Sequence, residues 1–496
     1  MSIFRTKSVE TSIAHTDEPE HQLKKSLTAV DLTVFGIGVI IGAGIFTVAG
    51  TAAATLAGPS VTLSFVIAAI CCGFAALCYA EFASTVPVAG SAYTFSYATL
   101  GEIVAWIIGW DLLLEMMLGA SVVAQGWAAY ASALLQTFGI ELPAAIGSGK
   151  ESHFDILAFG LIAVLTILVS VGIKESMRVN LVLVAIKLAI VLFVIIMGIQ
   201  FINPANWSPF IPPAAQSTVE GGGDLLKTPL LQAITGSTGM VYGVGGVFAA
   251  AALVFFAYIG FDVVATTAEE AKNPQRDLPR GIIASLIICT FLYIAVSLVL
   301  TGMVHYDHLK TEAALAAAFT DRGAAWMGAV IAAGAVAGLT TVVMTLMIGA
   351  TRVTFAMSRD NLLPGRLARI NPKTGTPVLL TVLIGTTCAL VSALTPIGEL
   401  EKMVNIGTLT AFILVSLAVP VLRKRRPDLQ RSFKVPLSPV MPVLSAVICF
   451  YLTLNLDIET WLRFIIWMAL GFVIYFFYGH KHSRLHREPE LTYFRH

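Results

Sequence analysis

Apolar residues fall in twelve runs of about 18 residues or more, the length a helix needs to cross a bilayer. They cover approximately residues 28–53, 60–83, 99–135, 154–173, 179–202, 247–271, 280–304, 324–354, 377–395, 401–422, 437–456 and 461–479, spans 1 to 12 below. Several exceed what an upright helix requires, so tilt or interruption is expected. Pro59, Pro87 and Gly90-Ser91 mark turns beside span 2. The longest polar gap, 203–246, contains Pro204, Pro209, Pro212, Pro213 and Gly221-Gly222-Gly223 and reads as an irregular loop. The pattern predicts an all-α integral membrane protein with 12 transmembrane helices. Its parts are a tail (1–27), five spans (28–202), the loop (203–246), five spans (247–422), two more (423–479) and a second tail (480–496).

Two spans carry small or turn-forming residues where a membrane helix should be unbroken. Span 1 has Ile41-Gly42-Ala43-Gly44-Ile45-Phe46 at its middle, and span 6 has Phe256-Ala257-Tyr258-Ile259-Gly260-Phe261-Asp262. Unwinding inside hydrocarbon strands backbone N–H and C=O groups at several kcal/mol each, so it survives only beside a protein-lined cavity. Paired breaks in corresponding places of two halves point to a transporter's substrate site. Gly42, Ala43 and Gly44 let a ligand approach the backbone closely. From here through Ile45 the outer half of span 1 turns amides and a positive dipole end toward a carboxylate. Freed carbonyls suit an ammonium, and an amino acid carries both groups. A tight helix-packing face is the competing explanation of Gly-Ala-Gly.

Composition agrees with the membrane reading. The 496 residues are 57% hydrophobic and 12% charged, with a mean hydropathy of +0.83, and soluble domains carry about twice that share of charge. The six cysteines lie in apolar stretches, which predicts neither a disulfide framework nor a metal site. The first 25 residues lack an apolar run, so no cleaved signal peptide is expected. With the N-terminus inside, 24 of the 31 Lys and Arg fall on cytoplasmic segments and six outside, which predicts cytoplasmic termini. The cluster Arg423-Lys424-Arg425-Arg426 suits anionic lipid, although topology alone explains it.

Longer motifs resemble a family. Phe255 to Asp262, followed by Ala268-Glu269-Glu270-Ala271-Lys272-Asn273-Pro274-Gln275-Arg276-Asp277-Leu278-Pro279, is similar to the signature of cationic amino-acid transporters. So are Gly36-Ile37-Gly38 through Phe46, and Gly109-Trp110-Asp111-Leu112-Leu113-Leu114-Glu115 continuing to Gly126-Trp127. The chain thus resembles a bacterial member of the cationic amino-acid transporter (CAT) branch of the amino acid–polyamine–organocation (APC) superfamily. The resemblance implies the LeuT-type fold: a 5+5 inverted repeat with broken helices 1 and 6, and two further helices. It also implies a plasma-membrane permease importing L-amino acids by alternating access, without a cofactor. The carbonyls of Ile40, Phe256, Ala257 and Ile259 would take the α-ammonium, with Phe256 as an aromatic lid. Bacterial relatives handle neutral as well as basic amino acids, so the name leaves the substrate open.

Ionisable groups deep in the spans are functional suspects, because a mid-membrane charge costs about 2.5–3.5 kcal/mol on insertion scales. All nine histidines lie outside the predicted spans. Lys187 sits nine residues after Arg178, about 13–14 Å along the helix, too deep for easy snorkelling. By resemblance it is the proton-coupling lysine that replaces the sodium ion of sodium-driven relatives; a permanently charged strut between spans 1, 5 and 8 is the alternative. Glu115, one turn from Asp111, either reads a cationic substrate side chain or bonds a neighbouring helix. Met344 lies where relatives line the side-chain pocket with span 8, and a methionine there favours a smaller substrate. Asp262 caps the inner half of span 6, and Glu269-Glu270 reads as solvated surface. The expected partners are an L-amino acid, protons and membrane lipid, with no nucleic acid and any small membrane subunit undetermined. Proton-coupled symport is the leading reading. Obligate exchange on the same fold is its rival; an ion channel lacks a pore motif here, and an enzyme lacks a nucleophile–His pair or metal cluster.

Overall fold

The computed structural model describes residues 27–85, 91–140, 142–143, 146–147, 153–172, 177–216, 224–236 and 240–487. Pro87, Gly90, Lys150 and Gly221-Gly222-Gly223 lie outside that set, as do the side chains of Glu269 and Glu270. Among the described residues, eight helices are long and apolar enough to cross a membrane, and four shorter apolar helices accompany them.

Span 1 opens with Ala29–Ile40, capped by Thr28, whose hydroxyl and amide exchange hydrogen bonds with Asp31 at the third helical position. This capping box satisfies two of the orphan amides of the first turn. The helix stops at Ile41, whose ψ of 89° leaves the helical region. Winding resumes as a π turn at Gly44–Val48 and runs on to Ala57. Span 2 is Val61–Thr85, span 3 Glu102–Thr137, span 4 Ile156–Ser170 and span 5 Met177–Gly198. Span 6 descends as Gly243–Val254, tightens to a 3₁₀ turn at Phe255–Tyr258, breaks, and continues as the 3₁₀ helix Val263–Glu270. Span 7 is Pro274–Met303, span 8 Ala325–Arg359, span 9 Val378–Leu394, span 10 Ile397–Arg425, span 11 Val440–Thr453 and span 12 Ile458–Ile474.

Both interruptions read from the sequence are present, but the inner half of span 6 is 3₁₀ rather than α. Two short helices go beyond the sequence reading: Ser91–Thr99 between spans 2 and 3, and Ala314–Asp321 between spans 7 and 8. The described residues of 203–246 form short turns, the helix Leu230–Thr235 and a two-residue antiparallel ribbon pairing Ala215–Gln216 with Met240–Val241. Backbone hydrogen bonds also tie this segment to distant elements, Tyr242 donating to Leu56, Leu230 to Leu456 and Leu231 to Leu454, at 2.9, 2.9 and 2.7 Å, which apolar periodicity does not register.

Spans 1, 2, 6 and 7 pack on one another, and spans 3, 4, 8 and 9 form a second group, with span 5 touching spans 1 and 8 and span 10 joining spans 3 and 11. Small residues set how closely these helices approach. The outer faces of spans 4, 5, 9, 11 and 12 expose Ile167, Ile196, Leu394, Val447 and Ile466, apolar side chains suited to lipid. The chain is a multi-pass membrane protein.

Candidate functional site

The two breaks cross at Gly44 and Ala257. A Cβ added to Gly44 would lie 2.2 Å from the Ala257 Cα, so only glycine permits this contact. Gly260, with φ of +121°, makes the turn that reverses span 6 beside Val39. Asp262 accepts a hydrogen bond from the Gly260 amide at 3.2 Å, closing that turn locally.

The carbonyls released by unwinding find donors on neighbouring spans. Lys187 Nζ of span 5 donates to the Gly38 carbonyl at 2.6 Å, and its stem lies against Gly338 of span 8. The Tyr293 hydroxyl of span 7 bridges both breaks, at 2.6 Å from the Ile40 carbonyl and 2.8 Å from that of Ala257. Asn405 of span 10 donates its amide to Ala252 and Leu253 of span 6 at 2.9 and 3.1 Å. Three side chains from spans 5, 7 and 10 therefore hold the broken ends in place. Tyr293 and Asn405 were missed from sequence. The only hint was a polar group inside an apolar helix, and the reading followed charges alone.

A cavity of about 20 Å³ sits at the crossing, lined by Val39, Ile40, Gly42, Ala43, Gly44, Gly119, Val123, Phe256, Ile259, Val342 and Leu346. Of the expected binding residues, Ile40, Gly42, Ala43, Gly44, Phe256 and Ile259 line it. Ile45 is buried behind this wall, and Ala257 packs on Gly44 with its carbonyl already accepting from Tyr293. The Phe256 carbonyl accepts from the Ile259 amide at 3.2 Å. Each of these oxygens keeps a second lone pair for a ligand. Glu115 lies one turn from Gly119 and Met344 between Val342 and Leu346, and neither lines the cavity. Val39, Gly119, Val123, Val342 and Leu346 join the wall instead. One side of the site is thus backbone from two broken helices, and the other is apolar side chains from spans 3 and 8.

The site is closed over on the side where span 3 meets Phe46 and Thr340. The Tyr130 hydroxyl of span 3 donates to the Phe46 carbonyl at 2.6 Å, with the two rings edge to face. Trp127 donates to Thr340 at 3.0 Å, joining spans 3 and 8 above the cavity. About 20 Å³ holds roughly one water. A ligand larger than that enters only when the spans part.

Broken helices meeting at a closed, two-faced cavity define a membrane permease. The chain belongs to the amino acid permease family, whose model matches residues 27–477, and amino-acid transport is its function. It is 48% identical to the branched-chain amino acid permease BcaP of Bacillus subtilis (strain 168), over 98% of this chain and 99% of that one. It is 44% identical to the methylthioribose transporter of the same strain, over 98% and 100%. The vacuolar cationic amino acid transporter 4 of Arabidopsis thaliana is 36% identical over 90% and 70%. The CAT motifs thus reach a relationship that is more distant than that to the bacterial permeases.

Proposed function

We propose that this permease imports L-amino acids with apolar, branched side chains across the plasma membrane by proton-coupled symport and alternating access. The observation that carries the reading is the apolar wall of the cavity, Val123, Val342 and Leu346, set opposite the backbone of two broken helices. Amides of Gly42, Ala43, Gly44 and Ile45 at the start of a half-helix receive the carboxylate. Carbonyls of Ile40, Phe256, Ala257 and Ile259 receive the ammonium, and Val123, Val342 and Leu346 receive the side chain. A cationic substrate would meet no acid on that wall, since Glu115 lies a turn away. The relatives named as branched-chain permeases, in Bacillus subtilis and Lactococcus lactis subsp. cremoris, support the same choice.

The architecture we propose has twelve spans with cytoplasmic termini, in two inverted five-helix repeats, 28–202 and 247–422, separated by an extracellular loop and followed by two helices. Contacts of span 1 with 6, 2 with 7, 3 with 8 and 4 with 9 support it, because each pairs a helix with the one five places on. In this scheme Lys187 is the proton carrier: its ammonium ties span 5 to the inner half of span 1, and deprotonation releases that tie. A thermal-shift screen of the purified protein against the twenty amino acids tests the substrate class, since a ligand binding only the folded state raises its stability. Leucine, isoleucine and valine should shift the transition, and arginine and lysine should not. The reverse order would reject an apolar side-chain pocket.

A further inference from the structure

A second polar cluster lies one turn from the cavity and takes no part in its wall. It comprises Asp111 and Glu115 of span 3, Asp262 at the span 6 break and Tyr79 of span 2. All four are buried, none more than 1% exposed. Among the described residues, both carboxyl oxygens of Asp111, Oε2 of Glu115, Oδ2 of Asp262 and the Tyr79 hydroxyl have no hydrogen-bond partner. Asp111 and Glu115 lie one turn apart on span 3, and the Tyr79 ring packs edge to face on Phe261, the residue before Asp262, at 5.9 Å. The charges of all three acids act on Tyr79, and those of Asp262 and Asp111 on Glu115. Span 10 closes the cluster. A Cβ at Gly407 would lie 2.7 Å from Asp111 Oδ1, and the next residue, Thr408, donates its hydroxyl to the Val404 carbonyl at 3.0 Å. Among the described residues the remaining titratable neighbours are two thiols, Cys72 of span 2, which interacts with Asp262, and Cys449 of span 11, which interacts with Tyr79. Among the described residues, none of the groups acting on the three carboxyls is basic.

Three ionised carboxylates so placed would repel one another in a medium of low dielectric, and a buried charge without a partner costs several kcal/mol. Evolutionary tolerance of such a cluster requires that its negative charge be removed. One sodium ion would cancel a single charge and leave two. A proton on each carboxyl cancels all of them and turns bare acceptors into donors for their neighbours. The Tyr79 hydroxyl supplies one more donor, and it too lacks any other partner.

We propose that Asp111, Glu115, Asp262 and Tyr79 form a proton-binding site, separate from Lys187, between the substrate cavity and the end of the bundle where Glu102 and Glu270 lie. Protons held there keep the inner half of span 6 packed on spans 2, 3 and 10. Loss of a proton sets like charges facing across that joint and pushes it open beneath the cavity. The site uses the transport reading only for its location.

Infrared difference spectroscopy on the purified full-length protein in lipid reads this protonation directly, without any transport assay. A carboxylic C=O band should persist at mildly alkaline pH, where exposed Asp and Glu side chains of ordinary acidity are ionised. Asp111→Asn, Glu115→Gln and Asp262→Asn should each lose part of that band. Tyr79→Phe removes only the hydroxyl, so it keeps the fold even where an acid variant does not; it should shift the band without loss. Lys187→Ala should leave it unchanged. A band identical in wild type and every cluster variant would overturn the proposal. So would its disappearance on adding sodium, which would make this a sodium site.

Discussion

At Gly44 the crossing of the two breaks leaves no room for a side chain. Gly44→Val would drive its Cβ into the Ala257 backbone, 2.2 Å away. Overpacking of this kind costs about 1–3 kcal/mol, or more where backbone must move. Binding of every amino acid should fall together, whatever its side chain, while the protein stays folded in detergent; isothermal titration with leucine and alanine would check this. Tyr293→Phe is a milder test of the same junction. It removes the one donor shared by the Ile40 and Ala257 carbonyls and should lower thermal stability by about 1–3 kcal/mol. Gly119 addresses selectivity instead. A Cβ there meets Leu346 at 3.5 Å, an ordinary contact, so Gly119→Ala should fold normally while narrowing the side-chain pocket. Competition assays should show isoleucine losing affinity more than alanine does. The breaks were legible because Gly-Ala-Gly and Ile-Gly-Phe-Asp interrupt otherwise apolar helices. The side-chain wall was not. Val342 and Leu346 face the cavity at i and i+4, whereas Met344 is turned about 200° from either, and Gly119 offers no chemical signal at all. Charge drew attention to Glu115, one turn from the glycine that lines the site.

Among the elements, the loop after span 10 is held by a buried acid that the apolar pattern conceals. Glu81, near the end of span 2, takes two hydrogen bonds from Arg423, at 2.8 and 2.5 Å, and one from the Val435 amide at 2.7 Å. Arg431 approaches it at 3.6 Å. In the sequence both arginines read as topology signals, and Arg423 also belongs to the basic cluster suited to anionic lipid. The structure gives Arg423 a bidentate partner, in the fork geometry that suits arginine and carboxylate. Glu81 is 2% exposed in its side chain and Arg423 27%, so removing the acid strands a half-hydrated cation and a buried amide. Glu81→Ala should destabilise the protein by about 3 kcal/mol, the low end for breaking a buried pair. Glu81→Gln should recover part of that by keeping an acceptor for Val435. Hydrogen exchange at residues 426–439 should speed up in both, and unchanged exchange would remove the clamp from the account. Helix existence was legible throughout, since apolar runs of span length have few alternatives. The 3₁₀ inner half of span 6 was not, because Val263–Glu270 has the composition of an ordinary helix end.

For the whole molecule, the decisive quantity is the volume at the crossing. About 20 Å³ admits no amino acid, so the helices lining the cavity must part to take one in, and in the proposed scheme the 1, 2, 6, 7 group moves against the 3, 4, 8, 9 group. Lys187 lies on that joint: it donates from span 5 to Gly38 of span 1 while its stem packs on Gly338 of span 8. An ammonium there holds the groups together, and a neutral amine donates more weakly to the same carbonyl. Protonation outside and release inside would then drive one direction of movement. In proteoliposomes without sodium, an inward proton gradient should concentrate leucine, and collapsing the gradient should stop accumulation. Raising external pH should lower uptake progressively, because fewer carriers are protonated on the side where substrate loads. Lys187→Ala should lose this response yet retain leucine–leucine counterflow, since exchange never returns an empty, deprotonated carrier. An obligate exchanger behaves differently from the start, with wild-type counterflow and no net accumulation under any gradient. A strict sodium requirement would reject proton coupling outright. Concentrative, pH-sensitive uptake surviving in Lys187→Ala would move the coupling proton to the acid cluster beside the cavity, where the infrared band of the same variant would already mark its place.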